Sequence, residues 1–262
     1  MKKYLYVFLL LFLLTALPPL ALTASASAGP AATATGEIST SPATIAIGAQ
    51  FNGITLEVNG TVPAGSEMVV RLMGAPTELH LRQKGKVFGL LWMNIGQIAL
   101  KDVPNVFLVD ASRPLDELGK AALPYRLQGL ADNLEYEKNG QTREIDVPHE
   151  LLMLKESTGL YNEKTGGVKL GPDEGGKRTF TAELTIPSSL PPGEYKVEAI
   201  AVKDGAVAAT SVTSIKAELV GFPKSLSDIA FNRSLFYGIM ATVIAIVSGL
   251  VIGLIFQSKG AH

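Results

Sequence analysis

The side chains that could do chemistry are few and widely separated. The chain contains three histidines, His80, His149 and His262, and no cysteine. No H-E-x-x-H or other metal-ligand spacing connects these histidines, and no G-x-S-x-G nucleophile elbow occurs. The carboxylates are scattered, and no spacing pairs two of them as acid and base. We therefore expect no catalytic residues, no metal site and no cofactor, which favours a protein that is not an enzyme.

One segment comes close to a phosphate-binding loop. GPDEGGKR, starting at Gly171, fits G-x-x-x-x-G-K and fails only at the last position, where Arg178 replaces Ser or Thr. Such a loop needs a strand before it and a helix after it, so that backbone N–H groups meet the anion. Here a polar segment precedes it and a strand pattern follows. We predict a flexible polar loop over residues 161–178 rather than a nucleotide site.

A second cluster combines cations with the single tryptophan of the chain. LHLRQKGKVFGLLWMN contains Arg82, Lys84 and Lys86, followed by Trp92 and Asn94. It could form a lip that binds an anion or a partner, because guanidinium groups match oxyanion geometry. It could equally be an exposed cationic strand face that leads to a buried core tryptophan. Both interpretations remain open at this stage.

The longest apolar segment lies near the C-terminal end. Residues 235–256, LFYGIMATVIAIVSGLVIGLIF, carry no charge, and as a helix they would cover about 33 Å, enough for a hydrocarbon core of about 30 Å. A buried core helix is the alternative, but no face of this segment is polar. We predict a transmembrane helix at 235–256, preceded by a juxtamembrane segment (221–234) and followed by a tail (257–262).

Small residues recur at every fourth position of this segment: Ala241, Ala245, Gly249 and Gly253. Residues four apart share one face of a helix. Helices associate in lipid through close backbone approach, which small residues permit. We interpret these four residues as a helix–helix interface, the alternative being a chance spacing of residues that are common in membrane helices.

The N-terminus has the pattern of a secretory signal. Lys2 and Lys3 precede a short apolar run, and Ala26 and Ala28 give the small-x-small pattern that signal peptidase recognises. We predict a signal peptide over 1–28 and a linker over 29–40. An uncleaved anchor is the alternative. Export would place the domain outside the cytoplasmic (inner) membrane, in the periplasm, and the C-terminal tail in the cytoplasm.

Between these ends, residues 41–220 have the sequence pattern of an all-β domain. Short β-branched and apolar runs alternate with Gly, Pro and Asn, and a bend is expected at Lys84–Lys86. A helical insertion is predicted at about 113–177, with Asp146 and Pro148 starting its second helix. Tyr195 follows a Pro-Gly turn, as in the tyrosine corner of immunoglobulin-like sandwiches. We expect a mainly β protein, an immunoglobulin-like β-sandwich with a helical insertion. Two separate domains are the alternative.

Composition limits the partners. The formal net charge is -1 over 262 residues, so the chain offers no basic field for nucleic acid. Without disulfides, the exported fold must rest on burial of its core.

The order of segments resembles a known family. FNGITLEVNGTV, EMVVRLMGAP, LRQKGKVFGLLWMN, VPNVFLVDAS, FTAELTIPSSLPPGEYKVEAIAVKDG and the apolar C-terminal run occur in this order. Together they are similar to the bacterial transmembrane proteins of the alphaproteobacterial type, a family of uncharacterised function. The likeness covers nearly the whole mature chain and brings no catalytic residues. It implies a candidate partner, a sulfite-exporter-type permease.

Two functions follow as hypotheses. The first is a membrane-anchored accessory or sensor subunit, whose outer domain binds a partner or solute while its helix docks against an integral membrane protein. The second is a structural envelope protein that self-associates through the same helix. A third, an enzyme, would need a pocket with convergent titratable groups.

Overall fold

A computed structural model describes residues 37–140 and 144–257. The predicted signal peptide, most of the predicted linker and His262 lie outside the described residues. The expectation of a mainly β protein is confirmed. The described strands are β1 (Ile38–Ser41), β2 (Thr44–Ile47), β3 (Ile54–Pro63), β4 (Glu67–Gly74), β5 (Pro76–Val87), β6 (Leu91–Pro104), β7 (Phe107–Ala111), β8 (Glu135–Gly140), β9 (Tyr161–Thr165), β10 (Val168–Glu174), β11 (Lys177–Ile186), β12 (Gly193–Lys203) and β13 (Ala206–Leu219).

Helices occupy two regions of the described chain. A 3-10 helix (Leu123–Tyr125), α1 (Leu127–Asp132) and α2 (Val147–Ser157) lie between β7 and β9. Near the C-terminus, α3 (Phe222–Asn232) covers most of the predicted juxtamembrane segment, and α4 (Ser234–Gln257) follows it. The predicted start of the second helix is confirmed: the Asp146 carboxylate accepts the N–H of His149 at 3.2 Å, and proline lies in the first turn.

Two of the three sheets form a sandwich. One has the order β1-β3-β11-β10 and the other β2-β13-β12-β4-β7-β9. Alternate side chains of β11, from Phe180 to Ile186, are buried against the facing residues of β4 and β12. These alternate residues of β11 therefore share one face, and the core they line is the interior of the sandwich.

The six-stranded sheet is covered on its second face as well. In β4, Val69 and Val70 point to opposite faces and both are fully buried. Val70 belongs to the sandwich core, whereas Val69 packs in a second core with Ile98 and Leu100 of β6 and with Leu151 of α2. The third sheet, β5-β6-β8, and the helices thus add another layer over the six-stranded sheet.

Two local predictions are wrong. The predicted bend at Lys84–Lys86 lies inside β5, and the chain turns at residues 88–90 instead. Residues 161–178 are not a loop, because β9, β10 and the start of β11 occupy them. Within the predicted helical insertion, the segment after Arg113 forms the short 3-10 helix, which contains Pro124, and α1, and β8 follows them.

Candidate functional site

The five residues of the cationic and aromatic cluster share one exposed face of the β5–β6 hairpin. In the antiparallel register Lys86 lies opposite Trp92 and Lys84 lies opposite Asn94. Arg82 lies two residues before Lys84 in β5, so it points to the same side. The structure therefore brings together the set that the sequence singled out.

Trp92 is not a core residue. Its side chain is 66% exposed, and the Lys86 Nζ lies 5.6 Å from the centre of its ring, within the range of a cation–π contact. The interpretation of Trp92 as a buried core residue is wrong, because Trp92 lies on the exposed face of the hairpin opposite Lys86. The exposed cationic strand face is confirmed.

The distal half of the hairpin projects as a two-stranded ribbon. Within the described residues, β8 pairs with β6 only from Gly96 to Lys101, and no third strand there lies beside residues 83–95. None of these residues belongs to either hydrophobic core. Within the ribbon, Ile95 packs over Gly85, where an added Cβ would lie 2.5 Å from the Ile95 Cδ1. We call residues 83–95 the ribbon from here on.

The end of the ribbon is apolar on every side. Phe88 is 93% exposed and Leu90 is 84% exposed at the turn, and Leu91 and Met93 are exposed on the face opposite Trp92. Sequence reasoning missed these four residues. The available signal was the uninterrupted apolar run VFGLLWM at a position where hairpin turns normally carry polar residues.

The turn itself is unusual for its residue types. The N–H of Leu90 donates to the Val87 carbonyl at 3.3 Å. Phe88 and Gly89 have φ values of 53° and 73°, as in a type I′ turn, which favours Asn-Gly. A bulky residue with positive φ is strained, whereas glycine is not. Phe88 is thus poorly suited to the backbone of the turn, and its side chain is almost fully exposed.

The second candidate surface lies on α4, whose position confirms the predicted apolar helix. Ser234–Phe256 is long and apolar enough to cross a membrane, and none of it is buried against the rest of the chain. Ala241, Ala245, Gly249 and Gly253 are exposed along one face. A Cβ added at Gly249 or Gly253 would meet nothing within 4 Å, so the small-residue face has no partner within the described chain.

The segment that comes close to a phosphate loop is a β-hairpin. Glu174 of β10 lies opposite Lys177 of β11, and Gly175 and Gly176, both with positive φ, form the turn. The prediction that a strand follows this segment is confirmed. Asp173 binds Arg178 at 2.8 Å and accepts the N–H of Gly65 at 3.2 Å. These contacts join β10 to β11 and to the turn after β3, so they stabilise the sandwich and do not form a phosphate site.

The histidines and the buried acid of the described residues lie on different elements of the fold. His80 is half exposed on β5, and His149 lies in the first turn of α2. Among residues 37–140 and 144–257, no group of three or more His, Cys, Asp or Glu side chains is placed to hold a metal ion. Asp110 is the one acid with a buried side chain in these ranges, and it accepts the N–H of Gly167 at 3.0 Å. Burial raises the pKa of its carboxyl, although this hydrogen bond opposes the rise.

Comparison with known protein families gives one assignment. Residues 37–258 match the family model described as "Putative transmembrane protein (Alph_Pro_TM)". The chain therefore belongs to this alphaproteobacterial family of transmembrane proteins, as the order of its segments predicted. A comparison with curated proteins found no match.

Proposed function

We propose that this membrane-anchored protein is a non-catalytic accessory subunit that binds an integral membrane protein through α4. In this proposal the β-domain lies outside the cytoplasmic membrane, since the N-terminal pattern is that of an export signal, and the C-terminus lies in the cytoplasm. A sulfite-exporter-type permease is the candidate partner that the family resemblance implies.

The observation that carries the proposal is the unpartnered small-residue face of α4. Apolar side chains surround the rest of the helix, and this face alone lets a second helix approach closely. In lipid the hydrophobic effect does not drive helix association, so backbone contact along such a face supplies the attraction.

Self-association through the same face is the alternative function. The Gly249–Gly253 spacing is that of G-x-x-x-G, which also supports contacts between identical helices. In that case the protein would be a structural component of the envelope, and its partner would be a second copy of itself.

Affinity purification from native membranes tests the proposal. We expect the wild-type chain to retain a polytopic membrane protein, and the double variant Gly249→Leu/Gly253→Leu to lose most of it. The matched control is Val247→Leu/Val251→Leu, which adds bulk at the same spacing on the opposite face of α4. Equal recovery of the partner with both double variants would contradict docking through this face.

A further inference from the structure

We propose that the apolar end of the β5–β6 ribbon inserts into the surface of a lipid bilayer with anionic headgroups. The inserting residues are Phe88, Leu90, Leu91, Trp92 and Met93. This would give the chain a second, peripheral membrane contact in addition to α4. The inference does not depend on which protein contacts α4.

The distribution of apolar side chains favours lipid over a protein surface. A patch that docks on a protein needs only one face, because the other face remains in water. At the end of the ribbon, Trp92 lies on one face, Leu91 and Met93 lie on the other, and Phe88 caps the turn, each at least half exposed. A tip with apolar side chains on both faces and at the turn is covered more completely by lipid than by a single protein surface.

The charges behind the tip match anionic headgroups. From Leu79 to Leu100 the hairpin contains no Asp or Glu. Within the described residues, Arg82, Lys84 and Lys86 form no ion pair with an acidic side chain. Lys86 and Lys84 lie about 3 and 10 Å behind the Val87–Leu91 pair at the rise of a strand. Their ammonium groups can therefore reach the headgroups while the tip enters the acyl boundary.

The identity of the aromatic residue fits the same environment. Trp side chains concentrate at membrane–water interfaces, where the ring is buried and the indole N–H stays near water. Trp92 lies level with Lys86, the first cation behind the apolar turn, and this is where the interface would fall. The Phe88 turn supports the inference as well, because Asn at that position would suit the backbone better but would remove the apolar cap.

The fluorescence of Trp92 tests this inference directly, because it is the only tryptophan in the chain. The full-length protein is purified and reconstituted into vesicles whose lipids have either plain or brominated acyl chains, with and without phosphatidylglycerol. We expect brominated chains to quench Trp92, more strongly when the anionic lipid is present. We also expect the membrane to protect Trp92 from acrylamide.

The decisive variant is Phe88→Asn/Leu90→Ser, which preserves the reporter. Asn-Gly suits a type I′ turn, so the hairpin should remain folded while its tip becomes polar. We expect quenching by brominated lipid to fall by at least about twofold in this variant, since two of the inserting side chains are lost. Val212→Ser, which removes a half-exposed apolar side chain from β13, serves as the matched control and should change nothing.

Three results would overturn the inference. The first is equal emission from Trp92 in plain and brominated vesicles. The second is quenching that the polar-tip variant retains in full. The third is protection from acrylamide without quenching by brominated lipid, which would mean that a second copy of the chain covers the tip. None of these results would bear on the partner of α4, because the measurement uses the purified protein alone.

Discussion

Tyr195 fixes the corner at which the chain enters β12. Its ring is buried, and its hydroxyl donates to the Pro191 carbonyl at 2.5 Å. This confirms the tyrosine corner that the Pro-Gly-Glu-Tyr pattern predicted. Burial raises the pKa of Tyr195 to about 12, so the hydroxyl keeps its proton at physiological pH and remains a donor.

We predict that Tyr195→Phe lowers the free energy of unfolding by about 1 kcal/mol, the net contribution of one hydrogen bond. The ring and its packing are retained, so the loss reports the hydroxyl alone. Thermal unfolding of the full chain in detergent, followed by circular dichroism, measures the change. Tyr136→Phe, at a partly exposed tyrosine of β8, is the control, and equal shifts for the two variants would argue against the corner.

Asp110 provides a prediction about pH. Burial raises its pKa in the folded state above the ordinary value of 3.8, so the folded protein binds this proton more tightly than the unfolded chain does. The wild type should therefore gain stability relative to Asp110→Asn as the pH falls through the raised folded pKa toward about 3.8. Unfolding of both proteins across this pH range measures the difference. A difference that stays constant or shrinks on acidification would contradict the assignment.

Residue types predicted some of these roles and failed for others. Tyr195 follows a turn motif and Asp146 precedes a helix pattern, so local sequence determines both. The environment of Trp92 depends on where β8 stops pairing with β6, and that is a long-range property. Local sequence could therefore place the five residues of the cationic face on a strand but could not show that Trp92 is exposed.

Arg71 of β4 connects the six-stranded sheet to the covering layer, which is the layer that the third sheet and the helices form over the second face of that sheet. Its Nε donates to Glu198 of β12 at 3.1 Å, and both side chains are mostly buried. The guanidinium carbon also lies 4.9 Å from the Tyr125 ring and 5.5 Å from the Phe107 ring. One cation thus contacts two strands of the sheet and the 3-10 helix above it.

We predict that Arg71→Met destabilises the protein by about 3 kcal/mol or more, because it leaves the Glu198 carboxylate buried without its partner. Lys101→Met is the comparison, since it breaks the exposed Lys101–Glu137 pair of the third sheet and should change stability little. Thermal unfolding of the two variants side by side is the measurement. A further variant, Arg71→Met/Glu198→Leu, should recover much of the loss, and no recovery would contradict the explanation.

Element by element, the regular strands could be predicted and the covering layer could not. β11 alternates strictly, and β12 and β13 are separated by a Lys-Asp-Gly turn, so period and turn residues identify them. Residues 161–178 are polar and rich in glycine, which is typical of a loop. They form β9 and β10 because β7 and β11 offer open edges to pair with, and pairing of this kind is not encoded in the segment itself.

At the scale of the whole molecule, a layered β-domain is joined to one apolar helix. The sequence predicted both parts, since the apolar run is long and the strand patterns are regular. It did not predict the third sheet or the second core, because leucines such as Leu100 and Leu151 come from segments far apart in the chain. The projecting ribbon is a consequence of that third sheet.

Two surfaces of this molecule lack a partner within the described chain: the small-residue face of α4 and the apolar tip of the ribbon. The first would select a neighbouring membrane protein, and the second would hold the β-domain against lipid. Together, in the proposed accessory role, they would position the β-domain beside a membrane partner.

Cross-linking through α4 in native membranes tests the central proposal most directly. Because the chain has no cysteine, Ala245→Cys introduces a single thiol on the small-residue face, and Val247→Cys introduces one on the opposite face as a control. We predict that a thiol-reactive cross-linker converts the Ala245→Cys protein, far more than the control, into an adduct with a different membrane protein. An adduct of twice the mass of the chain would show self-association instead, and equal labelling from both positions would contradict a specific interface on α4.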